Sequence, residues 1–100
     1  MDSRFLNVVV NGDSMWPTLK DGDEAVFRRV EASEQSELAA GQIILLEHPF
    51  RKNLRIIKRI QSIENGRLFV VGDNPDPTAA EDSHNFGEVA ASLVFAVLPE

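Results

Sequence analysis

Asn11-Gly12-Asp13-Ser14-Met15-Trp16-Pro17-Thr18-Leu19-Lys20-Asp21-Gly22-Asp23 is the stretch on which the reading of this 100-residue chain turns. It joins the apolar run Val8-Val9-Val10 to a second one, Glu24-Ala25-Val26-Phe27. Between them lie Asn-Gly-Asp-Ser, a Pro and an Asp-Gly pair, residues that set turns and tolerate unusual backbone angles. Ser14 falls where a strand ends and the chain bends, a position from which a hydroxyl can be held out for chemistry. A turn with capping hydroxyls is the plainer alternative, and these residues alone do not separate the two.

The sequence on either side of this stretch reads as short strands. Phe5 to Val10 is rich in β-branched residues and predicts a strand, and Glu24 to Val30 predicts a second. Glu31 to Ala40 is polar; it predicts either one or two helical turns capped by Ser33 and stopped at Gly41, or a plain loop. Gln42 to Glu47 is an apolar strand closed by His48-Pro49, since Pro cannot donate to a ladder. Leu54 to Ile63 and Arg67 to Val71 flank Asn65-Gly66, the strongest short hairpin signal. Gly72 to Pro77 is a loop by composition, Thr78 to Asn85 is polar and acidic, and a last strand is expected within Glu88 to Leu98. Seven or so short strands with almost no helix predict an all-β sandwich or barrel.

The totals bound the function. One hundred residues make a single domain, 1–100, and 43% hydrophobic residues can fill its core. A net charge of -6 lacks the basic footprint of a nucleic-acid binder. Without cysteine there is no disulfide, thiolate zinc site or cysteine nucleophile. Two histidines and scattered aspartates do not make a metal site, so no metal and no cofactor is expected. No run approaches the ~20 apolar residues of a membrane span, and the N-terminus lacks the pattern of a signal peptide. The expectation is a soluble, cytoplasmic protein without a membrane partner.

A possible base lies in Arg55-Ile56-Ile57-Lys58-Arg59-Ile60. Alternate residues of a strand share a face, so Lys58 shares one with Ile56 and Ile60. An ammonium on an apolar face is partly desolvated, which lowers its pKa and lets it act as a general base toward a serine hydroxyl. A snorkelling Lys, or one guarding a sheet edge, is the structural alternative. Two polar segments, Gly72-Asp73-Asn74 and Asp82-Ser83-His84-Asn85-Phe86-Gly87, could brace such a site or simply close a loop.

These segments together resemble a family. Gly12-Asp13-Ser14-Met15-Trp16-Pro17-Thr18-Leu19 with Gly22-Asp23 is similar to the serine box of the type I signal peptidases, S-M-x-P-T-L followed by G-D. Ile57-Lys58-Arg59 resembles their lysine box. Gly72-Asp73-Asn74 and Asp82-Ser83-x-x-Phe86-Gly87-x-Val89 resemble their last box, G-D-N…D-S-R-x-F-G-x-V. The self-cleaving LexA-like repressors share the Ser-Lys pair. The resemblance implies an all-β, compact LexA/signal-peptidase-like fold of coiled antiparallel β-sheets with at most one short helix. It implies a serine endopeptidase with Ser14 as nucleophile, Lys58 as general base, and the backbone N–H of Ser14, with that of Asp13, as the oxyanion hole. Gly72, Asp73, Asn74 and Asp82 would support the site, and Met15, Trp16 and Pro17 are candidates to line the substrate groove. Trp16 reads equally well as a partly buried core aromatic.

The departures from the pattern narrow it. No N-terminal membrane anchor is expected, and only residues 59–71 separate Lys58 from Gly72, room for one hairpin and no inserted β-region. This form resembles the small soluble maturation proteases of nickel-type superoxide dismutase, so the implied partner is a proprotein with an N-terminal leader, the nickel superoxide dismutase precursor. A general soluble signal-peptidase-like protease, or a non-catalytic peptide-binding β-domain of the same ancestry, are the alternatives. Gly12 stands where some signal peptidases carry a second hydroxyl. Thr78 and Ser83 are the candidates for the hydroxyl that orients the lysine, and His84 replaces the arginine of D-S-R, which makes any ion pair from Asp82 pH-dependent. A Ser-His-Asp reading of His84 and Asp82 lacks the G-x-S-x-G elbow. His48 reads as a loop residue. Arg51, Lys52, Arg55, Lys58 and Arg59 read as a solvated strand face, or as a receptor for an acidic substrate.

Overall fold

Ile43-Ile44-Leu45-Leu46 has no polar position, and a computed structural model describing residues 4–79 and 81–99 gives the reason. These residues form β3 (Ile43–Glu47), the central strand of a seven-stranded antiparallel sheet and itself buried on both faces. Ile44 and Leu46 enter a core cluster with Ile60, Leu68, Val70, Val89, Val94 and Val97. Ile43 and Leu45 enter a second cluster with Met15, Phe27 and Ala96. A strand buried on both faces needs an unbroken apolar run instead of an alternating one.

The remaining strands are β1 (Phe5–Val9), β2 (Glu24–Arg29), β4 (Arg55–Glu64), β5 (Arg67–Val71), β6 (Val89–Ala90) and β7 (Val94–Val97), in the order β1-β2-β7-β3-β4-β5-β6. Two bulges coil the sheet. Gln61 is the extra residue between β4 and β5, and Phe95 is the extra residue of β7 opposite β3. The β4–β5 hairpin turns at Asn65 and Gly66, both with positive φ (52° and 74°), as an Asn-Gly turn requires.

Three expectations are corrected. The segment after β2 folds as a 3₁₀ turn, Ala32–Glu37, and its cap is not Ser33: the Glu31 N–H donates to Glu34 Oε1 at 3.0 Å, so a longer acidic side chain reaches back. An α-helical turn, α1 (Ser83–Phe86), stands where only polar loop was expected. Asp82 starts it by accepting the His84 N–H at 2.9 Å, while Asn85 Oδ1 accepts the Asp82 N–H at 3.1 Å. The last strand is two: β6 pairs with β5, a short 3₁₀ turn Ala91–Leu93 follows, and β7 then inserts between β2 and β3. Among the described residues no helix is long and apolar enough to cross a membrane.

Candidate active site

The turn between β1 and β2 is closed at its base by strand-like bonds, Val10 N–H to Asp23 O and Gly22 N–H to Val10 O, both 2.8 Å. Asp21 accepts the Gly12 N–H at 2.7 Å, and Asp23 accepts the Lys20 N–H at 2.8 Å. Met15 is only 1% exposed and anchors the turn in the second core cluster. Its neighbour Ser14 is therefore left at the rim, partly buried. The Trp16–Pro17 bond is cis, and both side chains are exposed.

Lys58 reaches the same place from β4. It pairs with Ile44 in the β3–β4 register and is 2% exposed. Burial lowers its pKa from the ordinary lysine value, against the opposing pull of the Asp82 and Glu81 carboxylates. Ser14 and Lys58 both line a cleft of about 570 Å³ whose other walls are β1, the chain from Asn11 to Met15, and Leu54 to Ile57. Both also line a niche of about 30 Å³ closed by Gly72, Asn74 and Asp82. Among the described residues no direct hydrogen bond joins the Ser14 hydroxyl to the Lys58 ammonium. The N–H groups of Asp13 and Ser14 have no protein acceptor among the described residues.

Three consecutive residues of one distant loop, Gly72, Asp73 and Asn74, hold the turn against β4. Gly72 packs so closely on it that a Cβ there would lie 2.5 Å from the Ser14 carbonyl oxygen. Asn74 donates its N–H to Ser14 O at 3.0 Å and its side-chain amide to Asp13 O at 2.8 Å. Asp73 accepts the Thr18 hydroxyl at 2.6 Å and a fork from Arg59, Nε at 2.8 Å and Nη2 at 2.7 Å. The Arg59 hydrogen bond chiefly, and then Thr18, hold the Asp73 carboxyl below the usual aspartate range. The residue after the lysine is thus tied through one carboxylate to the residue four after the serine.

The other expected residues divide. Asp82 borders the niche beside Lys58 and caps α1. Neither hydroxyl offered as a lysine-orienting group bonds Lys58: Thr78 donates to Asp76 at 2.7 Å, and Ser83 accepts the Val70 N–H at 2.8 Å. Met15 lines the cleft from the core side, whereas Trp16, 45% exposed, and Pro17 stand outside it. His84 is exposed and rests on Asp82, 2.9 Å from Nδ1 to Oδ1, away from Ser14. Much of the basic cluster is locally engaged: Arg51 pairs with Glu81 at 3.2 Å, Arg55 lies 4.2 Å over Phe95, and Arg59 holds Asp73.

Glu81 and His48 are among the cleft residues that the sequence reading did not place in the site. His48 is 6% exposed and not a surface loop residue. The signal was present: the alternation Ile44, Leu46 continues to position 48, which puts His48 on the Lys58 side of the sheet.

A serine hydroxyl and a desolvated amine that line one cleft are among the parts that acyl transfer to serine requires. A Peptidase S24-like family model matches residues 2–90. No curated protein matches the chain significantly. The family match covers the turn, β4 and the bracing loop alike, so the chain belongs to the Peptidase S24-like family.

Proposed function

We propose that the chain is a serine endopeptidase with a Ser14–Lys58 dyad. The observation that carries this reading is that Ser14 and a buried Lys58 line the same two cavities. Neutral Lys58 takes the Ser14 proton as Oγ bonds to the scissile carbonyl carbon. The N–H groups of Ser14 and Asp13 receive the oxyanion. Collapse expels the amine, which takes its proton from the Lys58 ammonium. A water then gives a proton to Lys58 as its oxygen bonds to the acyl carbon, and collapse of that intermediate releases the acid while Ser14 Oγ takes the proton back from the Lys58 ammonium. The niche beside the dyad has volume for about one such water.

The substrate in this reading is the N-terminal leader of a proprotein, the nickel superoxide dismutase precursor, cut in the cytoplasm. The single hairpin between Lys58 and Gly72 and the Gly72-Asp73-Asn74-Pro75 sequence support it. The test is incubation of that precursor, and of a panel of unrelated leaders, with wild type, Ser14→Ala and Lys58→Ala, read by intact mass. One cut in the precursor by wild type alone is expected. Equal cutting by both variants overturns the dyad, and equal cutting of the panel makes the enzyme a general leader peptidase. The absence of a direct Ser14–Lys58 hydrogen bond favours one other reading, a peptide-binding domain that never cuts, since the family includes non-catalytic members. Binding of the precursor without product by wild type would establish it.

A further inference from the structure

Arg55 carries a charge that the proposed chemistry does not use. It opens β4, where it stands opposite Glu47 of β3. Arg55 and Ile57 share one face of that strand, and Leu45 lies opposite Ile57. Leu45 and Ile57 pack in the second core cluster with Leu6 and Val8, and these four line the cleft that holds Ser14 and Lys58. Arg55 lines the same cleft and is exposed, so it ends this apolar floor with a cation. Its guanidinium lies 4.2 Å over the ring of Phe95, which packs on the same cluster. Stacking occupies a face of the guanidinium and leaves the N–H donors in its plane for a ligand. Among the described residues no carboxylate pairs with it: Glu47 makes no ion pair, and Glu81 is held by Arg51. β5 pairs with β4 only from Arg59 onward, so the edge of Arg55 to Lys58 that faces away from β3 has no strand partner among the described residues.

We infer that Arg55 is a specificity-determining residue, which takes an acidic side chain of the peptide substrate about three residues from the scissile bond. Arg55 stands three positions before Lys58, about 10 Å at strand rise, and an extended peptide advances by the same rise. A planar fork held in place by an aromatic ring matches a carboxylate and loses little freedom on binding it. The apolar floor beside it, Leu45 and Ile57, suits an uncharged side chain nearer the dyad. A chain of net charge -6 has no general attraction for acidic peptides. A preference for Asp or Glu at one position therefore requires a local cation, and Arg55 supplies it.

The inference rests on the cleft being the substrate site of the proposed peptidase, and its test separates the two. Random dodecapeptides displayed on phage are selected in parallel on the Ser14→Ala chain and on the same chain with Arg55→Glu added. The first selection should enrich Asp or Glu at one position, and the second Lys or Arg at that position. The best binder of the first selection is then synthesised with its acid and with the corresponding amide. Amide replacement should weaken binding to the Ser14→Ala chain about fivefold, and Arg55→Gln should weaken binding of the acidic peptide equally. Both changes together should cost no more than either alone. Additive losses mean that another group reads the acid, and a selection without acidic preference means that nothing does; both overturn the inference. Should the Arg55 variants melt early, the Arg55 Nε–H resonance of the Ser14→Ala chain gives the answer: it shifts with the acidic peptide and not with its amide, or the inference falls. If the coupling holds and wild type cuts none of the selected peptides, proteolysis fails and the acid-reading site stands. If wild type cuts acid and amide peptides with equal kcat/KM, proteolysis stands and the inference falls. If no peptide is selected, both fall.

Discussion

Ser14 sits in a turn of polar residues whose carbonyls are pinned by a loop sixty residues away, whereas Lys58 projects from a strand whose register and apolar face fix it. The two halves of the site are positioned by different physics. On the turn side geometry is the vulnerable quantity, because hydrogen bonds from Asn74 and the close approach of Gly72 set where Ser14 stands. On the strand side protonation is vulnerable, because the same burial that places Lys58 lowers its pKa. Substitutions on the two sides should therefore fail in different ways.

Removal of either reacting group should have the largest effect. Ser14→Ala and Lys58→Met should each lower the rate of leader cleavage by about a thousandfold or more. Lys58→Arg should do the same, since a guanidinium stays protonated. The comparison is sharpened by thermal melting: Lys58→Met should leave stability unchanged or raised, because it removes a buried amine from an apolar face. A large loss of stability in that variant would mean that Lys58 holds the fold.

Gly72→Ala comes next and attacks the turn side alone. A methyl 2.5 Å from the Ser14 carbonyl must move backbone, which should lower cleavage about a hundredfold and cost about 1–3 kcal/mol in denaturant unfolding. Asn74→Ala removes only the amide on Asp13 O and keeps the backbone bond to Ser14 O. It should cost about 1 kcal/mol by the same measurement.

Asp73 joins the two sides, and its effect is on acid stability. Its folded pKa is depressed, first by the Arg59 hydrogen bond. The stabilisation is therefore complete above the unfolded aspartate value of about 3.9 and is lost as pH falls through the lower folded value. Asp73→Asn should melt lower than wild type at neutral pH and converge on it in acid. Parallel melting profiles would deny the ion pair a stabilising role.

Much of this arrangement was legible. Asn65-Gly66 marked the hairpin because few other pairs accept two positive φ angles. Period-two alternation on β4 put Lys58 with Ile56 and Ile60, as the structure has it. The split of the last strand was not legible, because Val89 to Val97 is apolar throughout except Ser92, and an apolar run does not say which neighbour it pairs with. The capped turn α1 was hidden because Asp82 and Asn85 read as loop formers and act as caps only once folded. The burial of His48 depends on Phe50 and Phe86, which approach it only in three dimensions.

The central claim is that Lys58 is the general base and that burial lowers its pKa to suit it to that role. The chain has three lysines, Lys20, Lys52 and Lys58, so the side-chain resonances of Lys58 can be assigned by the loss of one signal set in Lys58→Met. Its titration followed by NMR should have a midpoint below the ordinary lysine value of about 10.4. Because the unfolded chain then binds more protons, stability should rise with pH between that midpoint and about 10.4. A midpoint at or above about 10.4 would leave Lys58 charged beside Ser14 and would contradict the account.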